Sequence, residues 1–334
     1  MRPALSYISI TNFTTEAGVT HPYVEISYEH FGMPLGQTYP VVLINHALTG
    51  NSTVCGEEGW WPGLVGYDKC IDLGQYAVIC FNIVGNGYDG KPENLWETYK
   101  SFTARDVAHL FYQALQQVQV TQLYAAIGGS VGGGIAWEMA AAYPDYIRHL
   151  IPIATDWKSS DWIIANCMIQ EQILNNSSQP LYDARLHAML VYRTPESFKM
   201  KFNRTQNEAT GQYNIESWLT YHGKKLEKRF QLQAYRMMNY ILSTIDITKG
   251  RGTFAEVVRS IQSEIHLISI DKDYFFTLAE DQSTVKDMKK AGRPVTHHVI
   301  NSIHGHDAFL IEYEQLTAYL APIFQKEHKG VSFV

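Results

Sequence analysis

Apolar residues in this chain fall first into short unbroken runs and then into helical spacing. Residues 40–44 (Pro-Val-Val-Leu-Ile) and 76–82 (Tyr-Ala-Val-Ile-Cys-Phe-Asn) are almost wholly apolar. Runs of this kind mark strands covered on both faces. Residues 24–28 alternate, as a strand with one wet face would. The spacing over 103–118 is helical, with Asp106 in its first turns; 122–127 is strand-like, 132–143 helical and 149–154 another buried strand. Strands alternating with helices predict an α/β fold with a mainly parallel, doubly wound sheet.

The rhythm breaks over 155–252, which holds helix formers, aromatics and paired charges (for example 162–174 and 218–242) and no convincing buried strand. It resumes with a strand at 264–270, a helix near 278–291, a strand at 295–300 and a last helix over about 308–324. The expected organisation is an α/β core of residues 1–154 and 253–334 interrupted by a helical lid insertion, 155–252. No repeat or low-complexity tract appears.

Composition narrows the field. The 334 residues are 46% hydrophobic, enough for a sizeable core, and the net charge of −6 disfavours nucleic acid or an anionic membrane as partner. The four cysteines, Cys55, Cys70, Cys80 and Cys167, lack metal-ligand spacing. There is no signal-peptide pattern and no apolar stretch of membrane-spanning length, so a cytoplasmic setting is expected.

The candidate chemistry lies where the 122–127 strand gives way to a helix, at Gly128-Gly129-Ser130-Val131-Gly132. Gly-x-Ser-x-Gly in a strand–turn–helix context is a nucleophile elbow: small neighbours permit a sharp turn that exposes the serine hydroxyl. The same glycines would also suit a β–α turn in another α/β protein. A dinucleotide fingerprint is out of register here, and no Lys-Ser or Lys-Thr follows as a phosphate loop requires. A serine hydroxyl needs a base, and the base needs an orienting acid. In α/β-hydrolase folds these follow in the order Ser, acid, His. Asp271 and Asp273 end one late strand; His304 and His306 end the next, with Asp307 beside them. Position alone leaves both pairs open, and with 13 histidines any single one could be a bystander. The oxyanion hole is expected from the Val131 N–H and one in the loop Asn45-His46-Ala47-Leu48-Thr49-Gly50, with Leu48 as the second donor and His46 as a brace.

Taken in order, these segments resemble the homoserine O-acetyltransferase family of CoA-dependent acyltransferases in methionine biosynthesis. The resemblance runs through His46-Ala-Leu-Thr-Gly50 and Gly59-Trp-Trp61, Ser101-Phe-Thr-Ala-Arg-Asp106, and the Gly-Gly-Ser elbow. It continues through Ala184-Arg185 to Tyr192-Arg193, Tyr221-His-Gly-Lys-Lys, Arg229-Phe230, Asp273-Tyr-Phe-Phe and Gly305-His-Asp-Ala-Phe-Leu310. It implies an α/β-hydrolase fold and a triad of Ser130, Asp273 and His306. It also implies that Arg185 and Asp307, with Tyr192 nearby, hold the carboxylate and ammonium of an amino-acid acceptor. Without it, Arg185 reads as a solvated helix charge and Asp307 as a first-turn helix residue. The activity implied is acyl transfer, acetyl in the first place, from acyl-CoA to the L-homoserine hydroxyl through a Ser130 acyl-enzyme. CoA is then a co-substrate, no cofactor is bound, no metal is called for, and the assembly is a homodimer through the lid helices. The alternatives are a serine esterase or thioesterase using water, and a non-catalytic binding protein. The chain departs from the family pattern at Gly85-Asn-Gly-Tyr-Asp-Gly-Lys-Pro92, where a Cys and a Ser-Thr pair are usual, and at Val131, Gln231 and Thr277.

Overall fold

The computed structural model describes residues 4–325. Its strands are β1 (Ser6–Thr14), β2 (Thr20–Gly32), β3 (Val41–Asn45), β4 (Val65–Gly66), β5 (Ile71–Asp72), β6 (Ala77–Phe81), β7 (Leu123–Gly129), β8 (Ile147–Ile153), β9 (Glu264–Ile270) and β10 (Thr296–Ile300). Its helices are α1 (Ala104–Gln117), α2 (Val131–Ala142), α3 (Asp161–Asn176), α4 (Pro180–Tyr192), α5 (Pro195–Phe202), α6 (Asn214–Arg229), α7 (Leu232–Ser243), α8 (Phe254–Ser260), α9 (Leu278–Lys290) and α10 (Tyr313–Phe324).

Eight strands form one sheet in the order β1-β2-β6-β3-β7-β8-β9-β10, while β4 and β5 pair by themselves. From β6 to β10 every pairing is parallel; β1–β2 and β2–β6 are antiparallel. The central strands β3, β6 and β7 are buried at every residue, as their unbroken apolar runs require. One apolar cluster joins Ile79, Phe111, Trp137 and Met237 on one face of the sheet; another joins Ile44, Ile127, Phe309 and Phe324 on the other.

Three differences from the sequence expectation have physical causes. First, β1 was not foreseen: it is an edge strand that buries Ile8, Ile10 and Phe13 and leaves most of its other positions exposed. Second, the early strand is longer than 24–28, because β2 pairs with β1 from Thr20 to Tyr28 and then with β6 from Tyr28 to Gly32. Third, the helical stretch 218–242 breaks between α6 and α7, where Phe230 and Gln231 adopt extended backbone and Phe230 turns inward. Between β8 and β9 the described residues contain helices α3–α8 and no strand of the main sheet.

Helix α2 is buried all round from Val131 to Ala141, so it forms the spine behind the elbow. Its one charge, Glu138, is almost fully buried and must be matched. Arg251 Nη1 donates to it at 2.7 Å, Arg105 Nε at 3.2 Å and the Asp246 N–H at 3.2 Å. Those partners come from α1 and from the chain after α7, so the carboxylate ties the insertion's return to the core. Glu138→Ala leaves two arginines and an amide facing an apolar gap, and is expected to cost about 3–5 kcal/mol. Urea unfolding measures it; a loss below about 1 kcal/mol would mean that the arginines find water instead.

Candidate active site

The turn from β7 into α2 puts Ser130 at φ 57°, ψ −129°, a conformation that L-residues avoid. The surroundings hold it there. The Ser130 N–H extends the ladder to Ile153 O at 2.9 Å, and the Ser130 carbonyl accepts from Gly133 N at 2.9 Å. Glycine is required on both sides. A Cβ on Gly128 would sit 2.5 Å from the Gly132 backbone, and one on Gly132 would sit 2.4 Å from Asn45 O. Val131 opens α2, so its N–H has no acceptor inside the helix.

Because Gly132 touches Asn45 and His46, the loop after β3 is pressed against the elbow. Asn45 Nδ2 donates to Gly132 O at 3.1 Å. His46 is fully buried and accepts at Nε2 from the Ile83 N–H at 3.0 Å. Its proton therefore sits on Nδ1, which donates to Ala47 O at 2.7 Å. Gly50 N donates to Ala47 O at 2.8 Å, closing a turn around Leu48, and Arg229 Nη1 donates to Thr49 O at 2.8 Å. The departing 85–92 segment supports this loop from behind. Asn86 Nδ2 lies 3.3 Å from His46 Nε2 and 3.1 Å from Asn82 Oδ1, while Lys91 pairs with Glu25. Gly85 packs so tightly on Met237 of α7 that a Cβ would approach its sulfur to 2.2 Å.

Past β9 and β10 the two pairs of candidates separate by contact. Asp273 Oδ2 accepts from His306 Nδ1 at 2.7 Å, with both side chains buried. The other oxygen, Oδ1, accepts from the Phe275 and Phe276 N–H groups at 2.7 and 3.0 Å. Asp271 instead accepts from Ser302 N at 2.9 Å, and His304 Nδ1 meets Arg193 Nη2 at 2.9 Å. Phe275, Tyr192, Phe309 and Phe276 surround the His306 ring at centroid distances of 5.1 to 5.8 Å. Phe309 also covers Gly129, where a Cβ would lie 2.4 Å from its ring, so the wall that holds His306 abuts the residue before Ser130.

The charges near His306 include one that sequence reasoning missed. Arg193 Nη1 lies 3.6 Å from Asp307 Oδ2, and its guanidinium also donates to Ser197 Oγ at 2.7 Å. Burial pushes the Asp307 carboxyl above its ordinary range, while Arg185, His306 and Arg193 pull it back. Arg185 also acts on Tyr192 and Tyr235, whose hydroxyls burial pushes upward, and on Arg229, whose pKa burial lowers. Leu48, Tyr192, Tyr235, Phe275, Gln170 and His187 line a small cavity between this cluster and the helices above. Near Asp273, burial pushes Asp156 up to about 7 and Asp281 well upward, which favours their uncharged forms.

A family model described as the alpha/beta hydrolase fold matches residues 40–242. The chain is 31% identical to a homoserine O-acetyltransferase of Cyclobacterium marinum, covering 94% of this chain and 93% of that protein. Among solved structures it resembles a homoserine O-acetyltransferase from Bacillus anthracis (TM-score 0.87, 20% identity, 99% of this chain and 100% of that one). It resembles esterase E22 almost as well (TM-score 0.85, 18% identity, 96% of this chain and 99% of that one). Likenesses at that identity carry the fold alone.

Burial holds His46 at a pKa of about 4, below its ordinary 6.5. A histidine depressed by folding stabilises the native state above its unfolded pKa and loses that contribution as pH falls toward the folded value. Between about pH 6.5 and 4 the loss attributable to His46 approaches about 3 kcal/mol. His46→Gln, which cannot titrate, should lose correspondingly less stability over that window when urea unfolding is followed at each pH. Parallel curves for the two proteins would contradict a buried neutral imidazole.

Proposed function

The chain belongs to the homoserine O-acetyltransferase family of the α/β-hydrolase fold, and from that premise we propose that it transfers an acetyl group from acetyl-CoA to the hydroxyl of L-homoserine through a Ser130 acyl-enzyme. The observation that carries this reading is the relationship to acetyltransferases over 94% of the chain, joined to a buried Asp273–His306 pair beyond the elbow.

With Nδ1–H given to Asp273, His306 keeps Nε2 as the acceptor. It takes the Ser130 proton as the oxygen attacks the thioester carbonyl. The oxyanion rests on the Val131 and Leu48 N–H groups, each donor worth about 10²–10³ in rate. The tetrahedral adduct collapses, the carbon–sulfur bond breaks, and the CoA sulfur leaves with the proton from His306. The homoserine hydroxyl then gives its proton to His306 and attacks the acyl carbon. Collapse releases O-acetylhomoserine and returns the proton to Ser130. Asp273 fixes the tautomer and steadies the imidazolium.

The acceptor is a zwitterion, so its site needs both signs of charge. Arg185 grips the α-carboxylate through paired N–H donors. Asp307, held by Arg193, takes the ammonium, and Tyr192 lines the space between them. A hydrolase using water has no evident need of these groups, which favours transfer over an esterase reading. The helices of 155–252 serve as a lid that excludes water from the acyl-enzyme. The exposed apolar residues Ile164, Met168 and Ile169 on α3 support a homodimer through these helices. Among the described residues no helix is long and apolar enough to cross a membrane, and a cytoplasmic biosynthetic setting completes the proposal.

Acetyl-CoA with a thiol reagent tests the reaction directly. Thiol release is expected to rise steeply with L-homoserine; release indifferent to it would favour hydrolysis. Ser130→Ala should abolish turnover. Arg185→Ala should raise the KM for homoserine by roughly 10- to 100-fold while sparing the acylation burst. An equal loss of the burst would remove Arg185 from the acceptor site. Ile164→Glu with Met168→Glu should convert the dimer to a monomer by light scattering; an unchanged mass would place the contact elsewhere.

A further inference from the structure

We propose that His149, Glu264 and His266 form a binding site for one divalent transition-metal ion of borderline softness, zinc before others. The site lies at the amino-terminal ends of β8 and β9, the opposite edge of the sheet from Ser130 and Asp273. Sequence spacing could not reveal it, because 117 residues separate the two histidines.

The register makes the cluster. His149 faces Glu264 directly across the parallel ladder, and His266, two residues further on, points to the same face as Glu264. His149 Nδ1 lies 3.3 Å from His266 Nε2 and 3.6 Å from Glu264 Oε2. All three donor atoms fall within 4.8 Å of one another. Two nitrogens bound to zinc at about 2.0–2.1 Å with a tetrahedral angle stand about 3.3–3.4 Å apart, so the imidazole pair already has the separation an ion would impose. As a direct N–H···N hydrogen bond, 3.3 Å is long. The 3.6 Å to the carboxylate oxygen closes with a small rotation of an exposed side chain.

Two imidazoles and one carboxylate are a zinc-type donor set, whereas magnesium and calcium ask for oxygen alone. His149 is only 6% exposed and offers a fixed ligand; Glu264 is 63% exposed, so the fourth position opens to water. The strands concerned have a reason to be joined. Their ladder pairs His149, Leu150 and Ile153 of β8 with Glu264, Ile265 and Ile268 of β9, and it is interrupted at Pro152, which has no N–H to give. At their far ends Ile153 O receives the Ser130 N–H at 2.9 Å, and β9 leads into Asp273. An ion at the near ends would clamp two strands that support both arms of the proposed site.

The test uses the full chain after chelator treatment, with zinc added alone. Calorimetry should find about one ion per chain, and saturating zinc should raise Tm by roughly 2–4 °C. Cobalt in its place should give the visible bands of a four-coordinate site, and magnesium should give neither effect. Glu264→Gln and His266→Gln should each weaken zinc binding by about 10- to 100-fold. Glu264 is exposed, so its replacement does not threaten folding. Absence of zinc binding to the wild-type chain, or equal binding by both variants, would overturn the proposal.

Discussion

The contact on which the rest of this molecule depends is backbone against backbone. Gly132, in the first turn of α2, lies so close to Asn45 and His46 that no side chain fits between them. That approach brings a strained serine on one strand's exit beside a loop on the neighbouring strand's exit. β3 and β7 are adjacent and parallel, with Asn45 level with Gly128, so both chains leave the sheet at the same height. Parallel order, register and missing side chains therefore act as one device. None of them places the Ser130 hydroxyl beside the loop after β3 without the others.

Holding that device is costly, and the surrounding polar network offsets the cost. Ser130 sits in a backbone region worth of order 1–3 kcal/mol of strain, and His46 is buried with a ring that must stay neutral. The ring is satisfied at both nitrogens by backbone groups. Asn82 and Asn86 continue the network, and Ser52 and Thr53 each donate to the buried Glu29 carboxylate at 2.6 Å. In a low-dielectric interior such a chain is rigid only when every member is paired. The 85–92 segment departs in sequence from its family but takes part in this network through Asn86. Its altered residues thus bear on the shape of the loop around Leu48.

The elbow was legible in the sequence because its requirements are local: glycines at fixed offsets between an apolar run and a helical pattern. The buried strands β3, β6 and β7 were legible for a similar reason, since a strand covered on both faces has no polar position to disguise it. What escaped depends on distant contact. β1 is recognisable only once β2 offers it a partner. Arg193 follows Tyr192 in a stretch that sequence reading did single out, yet nothing local says that its guanidinium reaches His304 and Asp307, both more than a hundred residues away. Asp271 against Asp273 and His304 against His306 stayed open on position alone, because alternation along a loop cannot say which side chain turns inward. Contact separates them: Asp273 meets His306, while Asp271 and His304 are engaged elsewhere.

The charges around His306 bear on how a zwitterion could be told from water. Asp307 is pushed toward its neutral form by burial and pulled back chiefly by the guanidinium groups of Arg185 and Arg193. Arg193 approaches that carboxylate at 3.6 Å, and a further cation bringing its own hydrogen bonds would favour the charged form. Arg185 forms no ion pair within 4.0 Å among the described residues, and its field falls on Asp307, Tyr192, Tyr235 and Arg229. If the proposed function holds, an ammonium and a carboxylate on one small molecule would satisfy both at once. Water offers neither charge. On the proposed function, selection for the acceptor would draw on these paired charges together with the exclusion of water by the helices above.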